Sequence, residues 1–120
     1  MAESFKEIYD RLERHEVKIP FKDRFTKPME QGIKCRTWRI RKYGKPDDVF
    51  LNGHSQYRLL IVERACMGSV PEYFAEEGFN DRQDAIQTLK EIFPQNGYQP
   101  DRMGWAHWFV KVLAGQKGEK

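Results

Sequence analysis

The sequence predicts an α+β fold, a small β-barrel of five to six strands with short helices on its periphery. Three observations carry this expectation. The alternating apolar stretches are short and bounded by tight-turn signals, as barrel strands are. Short helical patterns are interleaved between them. The 120 residues match the length of one domain. That pattern disfavours a doubly wound parallel sheet, which needs long helices after each strand.

Each element has its own signal. Residues 4–16 read as an amphipathic accessory helix within a segment 1–16, because Phe5, Ile8, Tyr9 and Leu12 recur at helical spacing. Ser4 and Glu7 have capping-box spacing. Residues 17–21 form a strand candidate ended by Pro20. Residues 24–31 suit a short helix stopped by Gly32, since glycine takes the left-handed conformation cheaply. Residues 34–41 alternate as a strand, and Gly44, Pro46 and Asp47 mark the turn after it. Strands over 48–51 and 56–66 flank Asn52-Gly53, a hairpin signal. The stretch 58–62 is apolar on both faces, as in a covered central strand. Residues 70–77 read as a short helix and 81–93 as a longer one, with Asp81 as its cap and Pro94 as its stop. A final strand over 105–113 precedes a polar tail, 114–120, expected to be loose.

Composition narrows the function classes. Hydrophobic residues make up 39% and aromatics 13%, which excludes a disordered chain. A net charge of +3 does not by itself mark a nucleic-acid binder. Apolar runs such as residues 59–62 are too short to cross a membrane or act as a signal peptide. Cys35 and Cys66 make no CxxC pair, so a reduced, cytoplasmic chain is expected. His15, His54 and His107 lack metal-ligand spacing, so no metal and no cofactor are expected.

The charge is unevenly spread. Lys34, Arg36, Arg39, Arg41, Lys42 and Lys45 fall in one stretch without an acid, and Trp38 and Tyr43 lie among them. Clustered cations bind phosphates and aromatic faces stack on unpaired bases. The same pattern also suits a solvated strand edge guarded against aggregation. Of the adjacent carboxylates Glu76 and Glu77, one can turn into a cleft while the other stays wet, and composition does not say which. Cys66 reads as a core residue, and His107, between Trp105 and Trp108, as a satisfied barrel histidine.

Residues 32–39, Gly-Ile-Lys-Cys-Arg-Thr-Trp-Arg, resemble the Gly-x-Lys-x-x-Thr-x-Arg segment of ASCH domains, small barrels related to the PUA fold. The turn at 44–50, Glu76-Glu77-Gly78-Phe79, the helix ending at Ile92-Phe93-Pro94 and the closing strand from Trp105 are similar to the family's other landmarks. The resemblance covers residues 17–113. The stretch 96–101 looks closest to archaeal-type ASCH proteins, described as predicted RNA-binding proteins. Asp47 stands where the family usually has Gly, and Cys35 where Thr is common.

The resemblance implies binding of RNA, single-stranded or structured, or of a small nucleoside or nucleotide. The basic cleft would be lined by Lys34, Arg36, Trp38, Arg39, Arg41 and Lys42. A second branch of the family hydrolyses N4-acetylcytidine, and its catalytic Lys, Thr and Glu match Lys34, Thr37 and Glu77. The chemistry suits these residue types. A Thr hydroxyl attacks an acyl carbon only when a base takes its proton, and a Lys serves when burial lowers its pKa. Phe21, Trp38 and Phe79 are candidate walls for that burial. A Glu either holds the Lys or protonates the leaving amine. Strict strand alternation puts Lys34 and Thr37 on opposite faces, so the site requires Lys34 to precede the strand or a bulge to intervene. A third class, an interaction module whose basic strand meets an acidic protein, fits the charge pattern alone.

Overall fold

The computed structural model describes residues 15–113. The accessory helix expected over 1–16 and the tail over 114–120 lie outside the described residues, save His15 and Glu16, which are extended rather than helical. Four strands are present: β1 (Arg36–Arg39), β2 (Val49–Asn52), β3 (Ser55–Cys66) and β4 (Met103–Lys111). They form one antiparallel sheet in the order β1-β4-β3-β2, curled into a half-barrel. The α+β expectation stands, with four strands among the described residues in place of five to six.

Two strand expectations are corrected. Residues 17–21 form no strand: only Glu16 bridges Val49 in parallel, with Val17 N donating to Val49 O at 2.8 Å. The stretch 58–62 is covered on one side only, since Leu60 and Ile61 are 45% and 51% exposed. A bulge between Leu59 and Ile61 shifts the register there, which breaks the strict period of two. The Asn52-Gly53 hairpin is present, with Asn52 opposite Ser55.

The helices are α1 (Thr26–Glu30), α2 (Ser69–Glu72), α3 (Phe74–Glu77) and α4 (Arg82–Ile92), with a 3-10 turn at Asp23–Phe25 before α1. The single helix expected over 70–77 is two short ones broken at Tyr73. Asp81 caps α4 by accepting from Asp84 N at 2.7 Å.

Both faces of the sheet are used. Thr37, His107 and Val62 are cross-strand neighbours on the concave face, together with Phe109 opposite Leu59. There Phe50, Tyr57 and Phe109 pack with ring centroids 5.2 to 5.6 Å apart. Trp38, Ala106 and Glu63 are neighbours on the other face, where Trp38 meets Phe93 edge-on at 6.3 Å. Gly104 lets the indole through, because a Cβ there would lie 2.5 Å from Trp38 Cζ2. The result places β1 at an open edge, beside the junction of α3 and the chain before β1.

Candidate functional site

Among the described residues β1 pairs with β4 on one side only. Phe109 N donates to Cys35 O at 2.9 Å, so alternation turns the backbone groups of Arg36 and Trp38 away from β4. Two side chains meet that edge. Lys34 Nζ donates to Arg36 O at 2.9 Å. Glu77 Oε1 accepts from Trp38 N at 3.4 Å. The Arg36 carbonyl and the Trp38 N–H of that edge are thereby satisfied by the two charged residues that the sequence singles out.

Lys34 lies in the loop before β1, where its N–H donates to Pro28 O at 3.1 Å. The alternation rule therefore does not apply to it, and Lys34, Thr37 and Glu77 all line one cavity of about 530 Å³. Glu77 ends α3, and Gly78 turns the chain with φ +93°. A Cβ on Gly78 would sit 3.0 Å from Lys34 Cδ and 3.2 Å from a Phe25 ring atom. Glycine thus allows both the turn and the close approach of Lys34.

Lys34 is 3% exposed and Glu77 3% exposed. Lys34 Nζ donates to Glu77 O at 2.5 Å and stands 3.9 Å from Glu77 Oε1. It also lies 4.5 Å from the Phe25 ring centroid. Burial lowers its pKa to about 8, against the opposing pull of Glu77, with Arg39 and Arg36 adding to the fall. Burial raises the Glu77 pKa, opposed by Lys34 and Arg36. Of the carboxylate pair, Glu77 turns inward, while Glu76 contributes its backbone oxygen to Cys35 N at 2.8 Å.

The expected basic strand is not one exposed stripe. Arg36 is 1% exposed, with Nη1 donating to Glu77 Oε2 at 2.9 Å and Nη2 to Ser69 Oγ at 2.9 Å. Its guanidinium lies 4.6 Å from the Tyr73 ring centroid and 5.2 Å from that of Trp108. Trp38 is 6% exposed and donates from Nε1 to Ala65 O at 2.8 Å. Both are interior groups: Arg36 and the Trp38 N–H hold Glu77, the Trp38 ring walls the cavity, and neither side chain offers solvent a phosphate contact or a stacking face. Arg41 and Lys42 are exposed, Arg41 at the cavity mouth. Lys45 is paired to Asp48 at 2.9 Å.

Arg39 is half-buried and lines the cavity. Its Nε donates to Thr37 Oγ1 at 3.0 Å and its Nη2 to Pro20 O at 2.5 Å. Among the described residues no hydrogen bond joins Lys34 Nζ to Thr37 Oγ1. His107 is fully buried beneath Thr37: Tyr43 N donates to Nε2 at 2.9 Å, and Nδ1 lies 3.2 Å from Thr37 O. Since Nε2 accepts, Nδ1 carries the proton and the ring is neutral.

Phe25, Tyr43, Phe79 and Phe93 complete the walls with Phe21 and Trp38. Sequence reading named Phe21, Trp38 and Phe79 and missed the others, whose contribution depends on pairings far apart in the chain. It also missed the Arg36–Glu77 pair. Arg36 lies two residues before the apolar Trp38 and shares its strand face, which was the available signal. Among the described residues Cys35 and Cys66 are free thiols, and no three His, Cys, Asp or Glu side chains group as metal ligands do. No described helix is long and apolar enough to cross a membrane.

No family model matches the chain, and no curated protein matches its sequence. Two solved structures share its architecture. One is the ASCH domain from Lactobacillus crispatus JV V101, with a TM-score of 0.58 at 13% identity, covering 90% of this chain and 86% of that one. The other is a DUF984 protein from Enterococcus faecalis V583, with a TM-score of 0.55 at 18% identity, covering 90% of this chain and 89% of that one. The chain therefore has the fold of an ASCH domain.

Proposed function

We propose that the cavity takes a nucleoside-sized heterocycle carrying an acylated exocyclic amine, of the N4-acetylcytidine type, and hydrolyses its amide. The observation that carries this is the convergence of Lys34, Thr37 and Glu77 on one aromatic-walled cavity, reached from a loop, an edge strand and a helix end. Its volume of about 530 Å³ suits a small molecule. With a pKa of about 8, Lys34 is roughly one-tenth neutral at pH 7, enough to act as a base.

Thr37 Oγ1 forms a bond to the acyl carbon, the carbonyl π pair moves onto oxygen, and the neutral Lys34 amine takes the hydroxyl proton. The C–N bond then breaks, and the Lys34 ammonium returns that proton to the leaving amine. Water, deprotonated by Lys34, cleaves the threonyl ester to a carboxylate and restores the hydroxyl. Glu77, ion-paired to Arg36, holds Lys34 in place rather than serving as the acid. Lys34 Nζ and Thr37 Oγ1 are not hydrogen-bonded to each other here, so this reading requires substrate binding to bring them together.

The test is acetate release from N4-acetylcytidine. Thr37→Val and Lys34→Arg abolish it, because one removes the nucleophile and the other keeps the charge but is no base near neutral pH. No release above background by the wild type ends the hydrolytic reading.

A second reading, capture of one nucleotide of an RNA, is favoured by the exposed cations Lys22 and Arg41 at the cavity mouth. RNA affinity then falls by orders of magnitude between low and moderate salt. Salt-insensitive binding argues against it.

A further inference from the structure

We infer that Arg39 forms an oxyanion subsite in this cavity, receiving the carboxylate of a released acyl group and the tetrahedral oxyanion that precedes it. The inference rests on the hydrolytic reading for its catalytic half and on geometry alone for its binding half.

Among the described residues Arg39 is the half-buried cavity cation without an acidic partner, whereas Lys22 and Arg41 are exposed to water. Lys34 and Arg36 share Glu77. The remaining ion pairs among the described residues are Arg24–Asp84, Lys45–Asp48, Arg58–Asp47 and Lys111–Glu30, and none involves Arg39. A half-buried guanidinium loses hydration without recovering a counter-ion, an arrangement that a bound anion completes.

The fork is also held in place. Nε is committed to Thr37 Oγ1 at 3.0 Å and Nη2 to Pro20 O at 2.5 Å, and the Tyr43 hydroxyl, a neutral partner, also faces the guanidinium. The Phe21 ring supports the guanidinium from a centroid distance of 4.8 Å. Two functions follow from the Nε contact. A donor on Oγ1 stabilises the oxygen as it loses its proton, and the remaining N–H groups lie beside the carbon that this oxygen attacks. When the carbonyl π pair moves onto oxygen, the new anion forms next to a fixed cation, with no reorganisation needed. After the ester is cleaved, the product carboxylate keeps the same position, matching the planar fork.

Sodium acetate titrated against sodium chloride at constant ionic strength tests the binding half, followed by the Trp38 indole N–H resonance. The wild type is expected to show a saturable acetate-specific shift, and acetate is expected to inhibit hydrolysis competitively. Arg39→Met abolishes both and lowers kcat by about 10²–10³, with a much smaller change in KM. Arg39→Lys, which keeps the charge without the fork, restores part of each and guards against a folding defect in the Met variant. An Arg39→Met protein that still binds acetate, or a wild type without an acetate-specific shift, overturns the subsite. A protein that binds acetate through Arg39 but releases none from N4-acetylcytidine ends the hydrolytic reading and leaves the anion subsite standing. Full hydrolysis by Arg39→Met overturns the catalytic half and leaves the hydrolytic reading standing.

Discussion

Lys34 meets Glu77 twice, through the backbone carbonyl at 2.5 Å and through the carboxylate at 3.9 Å. The first contact places a cation on the last carbonyls of α3, where helix ends favour positive charge. The second leaves the carboxylate free for Arg36 at 2.9 Å. One carboxylate therefore answers two buried cations, and the ammonium is held chiefly by neutral oxygens. That division leaves Lys34 with a pKa of about 8 while the Glu77 carboxyl, raised by burial, is held by Arg36.

Glu77→Gln tests the division. The amide keeps the shape but leaves Lys34 and Arg36 without a counter-ion in the interior, a change of about 3–5 kcal/mol in stability. Urea denaturation measures it. Glu77 is also the group that opposes the fall in the Lys34 pKa, so any folded variant has a Lys34 that titrates below its native value of about 8. A variant as stable as the wild type contradicts the shared-counter-ion arrangement.

The pH dependence of hydrolysis follows from Lys34. Below its pKa of about 8 the neutral fraction grows tenfold per pH unit, so kcat/KM rises with unit slope and levels above that pH. Stability moves with the same group. Its folded pKa lies below the ordinary 10.5, so between about 8 and 10.5 the unfolded chain holds a proton the native state has released. That term stabilises the fold as pH rises through this window, and Lys34→Met removes it. A flat kcat/KM from pH 6 to 8 rules out Lys34 as the base.

Gly78→Ala sets a backbone constraint against the site. The φ of +93° costs an L-residue about 1–2 kcal/mol. The new methyl also meets the Lys34 methylenes at 3.0 to 3.2 Å. Lys34 is pushed off the Glu77 carbonyl, so activity falls more than the loss of stability explains. Thermal melting and kcat measured on the same preparation separate the two effects.

What was legible in the sequence follows from local physics. Asn52-Gly53 names its hairpin, Asp81 its helix start and Gly32 its helix stop, because caps and turns depend on a few adjacent residues. The Lys34-Thr37-Glu77 set was legible through its resemblance to ASCH domains. The absence of a strand at 17–21 was not, because pairing there depends on Val49, 33 positions from the bridged residue Glu16. Arg36 read as a phosphate contact because its counter-ion, Glu77, is 41 residues distant. The one-sided cover of 58–62 was hidden by the bulge at Leu59, which apolar patterning does not encode. Asp47 occupies φ +78°, the conformation a glycine takes freely, so the departure from the family's Gly leaves the turn intact.

His107 ties the stability of this region to acid. Its Nε2 accepts from Tyr43 N and its Nδ1 faces Thr37 O, so it joins the two cavity segments only as a neutral ring. A proton on Nε2 would face the Tyr43 N–H directly and break that contact. Burial, aided by Arg39 and Lys42, lowers its pKa below the usual 6.5, against the pull of the Thr37 and Trp105 backbone. The sign follows from which state binds the proton. Below pH 6.5 the unfolded chain protonates this histidine and the native chain does not, so stability declines as pH falls towards the lowered native pKa. The slope reaches at most about 1.4 kcal/mol per pH unit for one proton. His107→Gln loses some stability at every pH because a buried bridge is weakened, but it has no proton to bind. Unfolding free energies from urea titrations at pH 7 and pH 5.5 are compared for the two proteins, which cancels the carboxylates common to both. The wild type is expected to lose more stability than His107→Gln over that interval. Equal losses mean that His107 is charged in the native state, and the Tyr43 and Thr37 contacts then cannot both exist as described.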